Sequence, residues 1–132
     1  MISAIVVTHG NLASELIATA SEVYGDVSGC HAVSNLHKAP QVLREELESI
    51  LSQGAPDDRY ILFVDFFGGS CTHACMAVRM VHEHVTLITG VNLPMFLAFL
   101  YKRNEVSFEN LPTELLARGH ESIQLIATKD DE

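Results

Sequence analysis

Short, nearly continuous apolar runs alternate along this chain with longer segments of helical period, and that alternation limits the fold more than any other feature. The runs are Ile2 to Val7, Gly29 to Ser34, Tyr60 to Asp65, Val85 to Thr89 and Ser122 to Thr128. Most lack the strict polar–apolar alternation of a half-exposed sheet, so they read as strands buried on both faces. Between the first two lies a stripe of Leu12, Leu16, Ile17, Ala20, Val23 and Tyr24, and a second stripe follows at Leu43, Leu47, Ile50 and Leu51. A third helix is expected from about Cys71 to His82 and a fourth from Asn92-Leu93-Pro94 to about Lys102. A short last one starts at Ser107 or Asn110 and ends at Gly119. Asn11 or Gly10 can cap the first helix, Pro40 sits in the first turn of the second, and Gly54-Ala55-Pro56 closes it. Strand and helix in turn imply an α/β, doubly wound parallel sheet with helices on both faces.

The 132 residues, with 48% apolar and 19% charged side chains, suit a single domain spanning 1–132 and exclude disorder. No apolar run reaches the roughly 20 residues of a membrane span, and the N-terminus has no basic leader, so a cytoplasmic location is expected. With 17 acids against 8 bases the net charge is -9, which repels a phosphate-rich polymer and argues against nucleic acid as a partner. The odd set of Cys30, Cys71 and Cys75 lacks the spacing of a disulfide scaffold and reads as reduced thiols.

Three strand ends carry unusual residues: Thr8-His9-Gly10, Asp65-Phe66-Phe67-Gly68-Gly69-Ser70, and Thr89-Gly90-Val91-Asn92-Leu93-Pro94. Right-handed crossovers make the first and third strands neighbours, so His9 and Asp65 can meet at the carboxyl edge of the sheet, where such folds bind ligands. A carboxylate holding one ring nitrogen fixes the tautomer and leaves the other nitrogen free to attack an electrophile. Gly68-Gly69-Ser70 at a helix start offers main-chain N–H groups and a hydroxyl to an oxyanion. A nucleophile, an orienting acid and an anion cradle together describe a phosphoryl acceptor.

These motifs, with Gly119-His120-Glu121-Ser122-Ile123 near the end, resemble in order the enzyme IIA domain of the mannose class of the bacterial sugar phosphotransferase system. The resemblance implies four parallel strands in the order 2-1-3-4 and an antiparallel C-terminal strand, here Ser122 to Thr128, exchanged in a homodimer. It implies a phosphoryl carrier in which His9, through Nε2, takes the group from the phosphocarrier HPr and passes it to a histidine of a IIB domain or protein. Asp65 then matches the aspartate that holds Nδ1. Gly10, Gly69, Ser70 and Cys71 border the phosphoryl group, Ser70 matching a serine near its oxygens. No metal or nucleotide cofactor is implied, and membrane IIC and IID components would be met only peripherally. The chain departs from the family after Gly-Gly-Ser, where proline, an aromatic and asparagine give way to Cys71-Thr72-His73.

An alternative keeps His9 phosphorylatable as a regulatory switch without sugar transport. A receiver domain would need an acidic pair after the first strand, where Thr8-His9-Gly10 stands, and neither dinucleotide nor nucleotide loop motif is present. Cys71 and Cys75 can share a helix face, but His73 points away, so this trio is not read as a metal site. Cys71 and Cys75 read instead as buried or half-buried structural thiols, with the helix N-terminus lowering the Cys71 thiol pKa. His82-Glu83-His84 lacks the four-residue spacing of a zinc protease and falls at a helix end, and His31, His37 and His120 read as surface or loop residues. Met76, Met80, Met95, Phe96, Phe99 and Leu100 read as core or dimer contact.

Overall fold

The computed structural model describes residues 1–127 and 129. In chain order the elements are β1 (Ile2–Thr8), α1 (Leu12–Val23), β2 (Cys30–Ser34), α2 (Pro40–Ser52), β3 (Arg59–Val64), α3 (Gly69–Val81), β4 (Val85–Thr89), α4 (Leu93–Lys102) and α5 (Leu111–Glu121). The sheet order is β2-β1-β3-β4 and every pairing is parallel. β1 and β3 are therefore central, and their continuous apolar runs follow from having a helical layer on each face.

Alternate residues of those strands supply two separate cores. Ala4, Val6, Ile61, Phe63 and Ile88 point to one face, where Phe96 and Phe99 of α4, Ala13 and Leu16 of α1 and Leu111 and Leu115 of α5 cover them. Ile5, Val7, Leu62 and Val64 point to the other, against Leu43 and Leu47 of α2 and Cys71, Cys75 and Val78 of α3. A fully buried Leu, Ile or Phe contributes about 1.5–3 kcal/mol, so these strand residues fix the register. A slip by one position would exchange the two faces.

The register places the site. Val7 pairs with Val64 and Thr8 with Ser34, so the residues that follow, His9, Asp65 and Asn35, emerge together at the carboxyl edge. Of two helix-start signals, one acts differently from expectation and one as expected. Asn11 is the N-cap of α1 but its side chain caps nothing; Thr8 Oγ1, buried below, accepts from the Ala13 N–H at 2.7 Å instead. Asn92 is a true cap of α4, accepting from the Met95 N–H at 3.0 Å, and it donates to the Gly119 carbonyl at 3.1 Å, which fastens α4 to α5.

The last expected strand, Ser122 to Thr128, is not formed within the chain. Ser122 is the C-cap of α5, residues 123–127 are neither helix nor strand, and Thr128 lies outside the described residues. Ile123, Leu125 and Ile126 are exposed by 77, 85 and 60%. An apolar run gains strand structure only by pairing with an edge. The methionine and aromatic group also divides: Met95, Phe96, Phe99 and Leu100 are core, whereas Met76 and Met80 lie on the exposed face of α3. No helix among the described residues is long and apolar enough to cross a membrane.

Candidate functional site

His9 and Asp65 meet as their strand-end positions require. Asp65 Oδ2 lies 2.9 Å from His9 Nδ1 and also accepts the His9 main-chain N–H at 3.0 Å, while Oδ1 accepts the Phe66 N–H at 3.1 Å. Burial alone would push the Asp65 carboxyl up. Hydrogen bonds from the His9 main chain and ring, the charge that ring can carry and, last, the Phe66 N–H outweigh that and hold it below its ordinary value. An ionised carboxylate only accepts, so the proton of a neutral ring sits on Nδ1 and the lone pair on Nε2. The Phe66 ring stacks on the imidazole, with centroids 4.6 Å apart and planes within 13°, which fixes the ring plane.

The Nε2 side is open. The His9 side chain is 37% exposed against 11% for Asp65. A Cβ added to Gly69 would lie 3.7 Å from Nε2, so the absence of a side chain there leaves room for a group bonded to that nitrogen. Gly68 and Gly69 have φ of 106° and 76°, a left-handed pair that turns the chain into α3 without a side chain capping the helix. The first-turn N–H groups at Gly69, Ser70 and Cys71 are the kind that bind an anion.

A threonine and an asparagine brace this edge. Thr72 Oγ1 accepts the Gly68 N–H at 3.0 Å and donates to the Phe66 carbonyl at 2.9 Å, closing the 66–72 turn on itself. Asn35 Oδ1 accepts the Gly10 N–H at 3.3 Å, so Gly10 (φ 59°) ties the β1 exit to the β2 exit. Sequence reasoning did not single out Thr72, Asn35 or the stacked Phe66. Parallel register offered a signal for Asn35, because the residue after β2 must lie beside the residues after β1.

Cys71 is buried, as expected of a structural thiol, and only its pKa moves against expectation. Its Sγ lies 4.0 Å from His9 Nδ1, on the Asp65 side of the ring, so only its main chain can face a group on Nε2. Burial, followed by the charge of Asp65, pushes the thiol up, overriding the lowering expected from a helix N-terminus. Cys75, deeper in the same face of α3, is pushed up to about 12 by burial, and His73 is exposed on the other side, so Cys71, His73 and Cys75 do not converge. His82 is the C-cap of α3 and pairs with Glu48 at 2.8 Å.

With that geometry in view, similarity to known proteins is specific. Residues 3–116 match the family model described as PTS system fructose IIA component. The chain is 28% identical over 127 residues to the PTS system fructose-specific EIIA component of Bacillus subtilis, covering 95% of this chain and 86% of that protein. It is 26% identical over 130 residues to the mannose-specific EIIAB component of Escherichia coli, covering 97% of this chain but only 40% of that longer protein. In three dimensions it superposes with a TM-score of 0.86 on the phosphotransferase system component EIIA from Streptococcus agalactiae, covering 94% of this chain and 96% of that one at 18% identity, a likeness of fold.

Proposed function

Because the chain belongs to the IIA family of the sugar phosphotransferase system, we propose that it is a phosphoryl carrier whose acceptor atom is His9 Nε2. The 2.9 Å contact of Asp65 with Nδ1 carries this reading, because it puts the lone pair on the open nitrogen beside Gly69. In the transfer, the Nε2 lone pair forms a bond to phosphorus as the bond from phosphorus to the donor histidine of HPr breaks and its electron pair returns to that nitrogen. Nothing is oxidised or reduced. Asp65 keeps the Nδ1 proton and offsets the positive charge that the ring acquires. The Ser70 hydroxyl and the first-turn N–H groups of α3 bind the phosphoryl oxygens, with Gly10 and Gly69 bordering them. The reverse geometry passes the group to a histidine of a IIB partner.

The exposed apolar surface around His9, from Leu12, Phe66 and Phe67, is the docking face for HPr and IIB. Exposed Ile123, Leu125 and Ile126 are covered by a second copy, as an exchanged strand of a homodimer. The protein acts in the cytoplasm and meets membrane IIC and IID components only through IIB. Incubation with enzyme I, HPr and phosphoenolpyruvate should add one acid-labile phosphoryl group per chain, and His9→Ala should remove it. Labelling that persists in His9→Ala would overturn the assignment. A sedimentation mass of one chain would overturn the dimer.

A further inference from the structure

The inner side of the His9 ring adds a third donor, the Cys71 thiol, to the His9–Asp65 pair that phosphoryl transfer uses. A ring nitrogen of His9, a carboxylate oxygen of Asp65 and the Cys71 Sγ all lie within 4.8 Å of one another. We propose that these atoms form a site for a borderline-soft divalent transition-metal ion, zinc foremost, and that its occupancy and phosphorylation of His9 exclude each other. The exclusion rests on the reading of His9 as the acceptor; the metal site does not.

Donor chemistry selects the ion. Imidazole, thiolate and carboxylate together suit zinc, whereas magnesium and calcium take oxygen shells. Three protein ligands with a fourth position for water form an open zinc site, and tetrahedral bonds of the usual lengths put the donor atoms about 3.3–3.6 Å apart. Two of the present separations lie on either side of that range, 2.9 Å from Nδ1 to Oδ2 and 4.0 Å from Nδ1 to Sγ, and the third is within 4.8 Å. Small rotations of the ring and the thiol suffice. The carboxylate keeps its orientation meanwhile, because the main-chain N–H groups of His9 and Phe66 hold it at 3.0 and 3.1 Å independently of the ring. This set differs from Cys71, His73 and Cys75, since it draws its ligands from the exits of β1 and β3 and the first turn of α3 rather than from one helix.

Exclusion follows from the two ring nitrogens. A metal takes the Nδ1 lone pair, so the ring binds as the tautomer with its proton on Nε2, which then has no lone pair for phosphorus. The Cys71 thiol gives its proton to solvent, so one proton is released per ion and no redox change occurs. A phosphoryl group on Nε2 keeps the proton on Nδ1, hydrogen-bonded to Asp65, and so removes the metal's nitrogen donor.

Cobalt(II) titration of the whole protein, followed by zinc competition, tests the site. The expected result is one ion per chain with a thiolate-to-cobalt charge-transfer band and tetrahedral visible bands. Cys71→Ser and Cys71→Ala, with folding checked by circular dichroism, should each lose the charge-transfer band and bind at least about tenfold more weakly. Cobalt bound without that band, or bound equally by both variants, would overturn the site. Stoichiometric zinc should slow labelling by purified phospho-HPr at least about tenfold, reversibly on chelation. In Cys71→Ser, the ratio of rates with and without that zinc should stay near one. Unchanged labelling of the zinc-saturated native protein would overturn the exclusion. Native protein that takes no label when metal-free, yet gives the band when titrated with cobalt, would overturn the acceptor reading, and the exclusion with it, but not the site.

Discussion

The two sides of the His9 imidazole are built in opposite ways. The Nδ1 side is closed: Asp65 is nearly buried, Cys71 is wholly so, and Thr72 locks the turn that carries them. The Nε2 side is open, floored by a glycine and rimmed by exposed Leu12, Phe66 and Phe67. The closed side sets which nitrogen reacts, and the open side sets what can reach it. A ring gripped on both sides could not be phosphorylated, and one free on both would rotate between tautomers and lose its alignment.

The comparison breaks first at the ring itself. His9→Ala should abolish the acid-labile label completely. Removing the closed side's charge comes next: Asp65→Asn should slow transfer by roughly 10²–10⁴-fold, the usual weight of a positioned acid–base partner. Single-turnover labelling with phospho-HPr measures it. Asp65 also carries a pH signature. Its folded-state carboxyl titrates below 3.8, so its contribution to stability is complete above that value and is lost as pH falls through the lower folded value. The stability difference between the native protein and Asp65→Asn, read by denaturant titration, should therefore change as pH falls through that acid window.

Crowding the open side should cost less. Gly69→Ala places a methyl 3.7 Å from Nε2 at a φ of 76°, and should slow transfer by about 10–100-fold with a stability loss of about 1–2 kcal/mol. Thr72→Val leaves the Gly68 N–H and Phe66 carbonyl without their partner, a loss of about 1–3 kcal/mol in denaturant titration. Its effect on transfer should be smaller than that of Gly69→Ala, because neither group touches the ring.

Much of the closed side was legible in the sequence. A histidine and an aspartate that each end a continuous apolar run must emerge together once right-handed crossovers make those runs neighbours. Gly68-Gly69 announced its own left-handed turn. What stayed hidden depends on short side chains choosing between local partners: Thr8 caps α1 in place of Asn11, and Thr72 bonds backward to Phe66. Spacing alone does not settle such choices. The Cys71 thiol shows a contest of magnitudes, since a helix N-terminus lowers a thiol pKa but burial raises it, and burial depends on packing across β3. Ser122 to Thr128 had the composition of a strand, yet a strand also needs an edge, and neighbouring residues cannot reveal which chain supplies it.

The central claim is that one named nitrogen carries the phosphoryl group. Phosphorus–nitrogen correlation NMR on ¹⁵N-histidine-labelled protein, phosphorylated through HPr, reads it directly. A single phosphohistidine at His9 with phosphorus coupled to Nε2, and Nδ1 still protonated toward Asp65, is the predicted result. Phosphorus coupled to Nδ1, or carried by any other histidine, would contradict it.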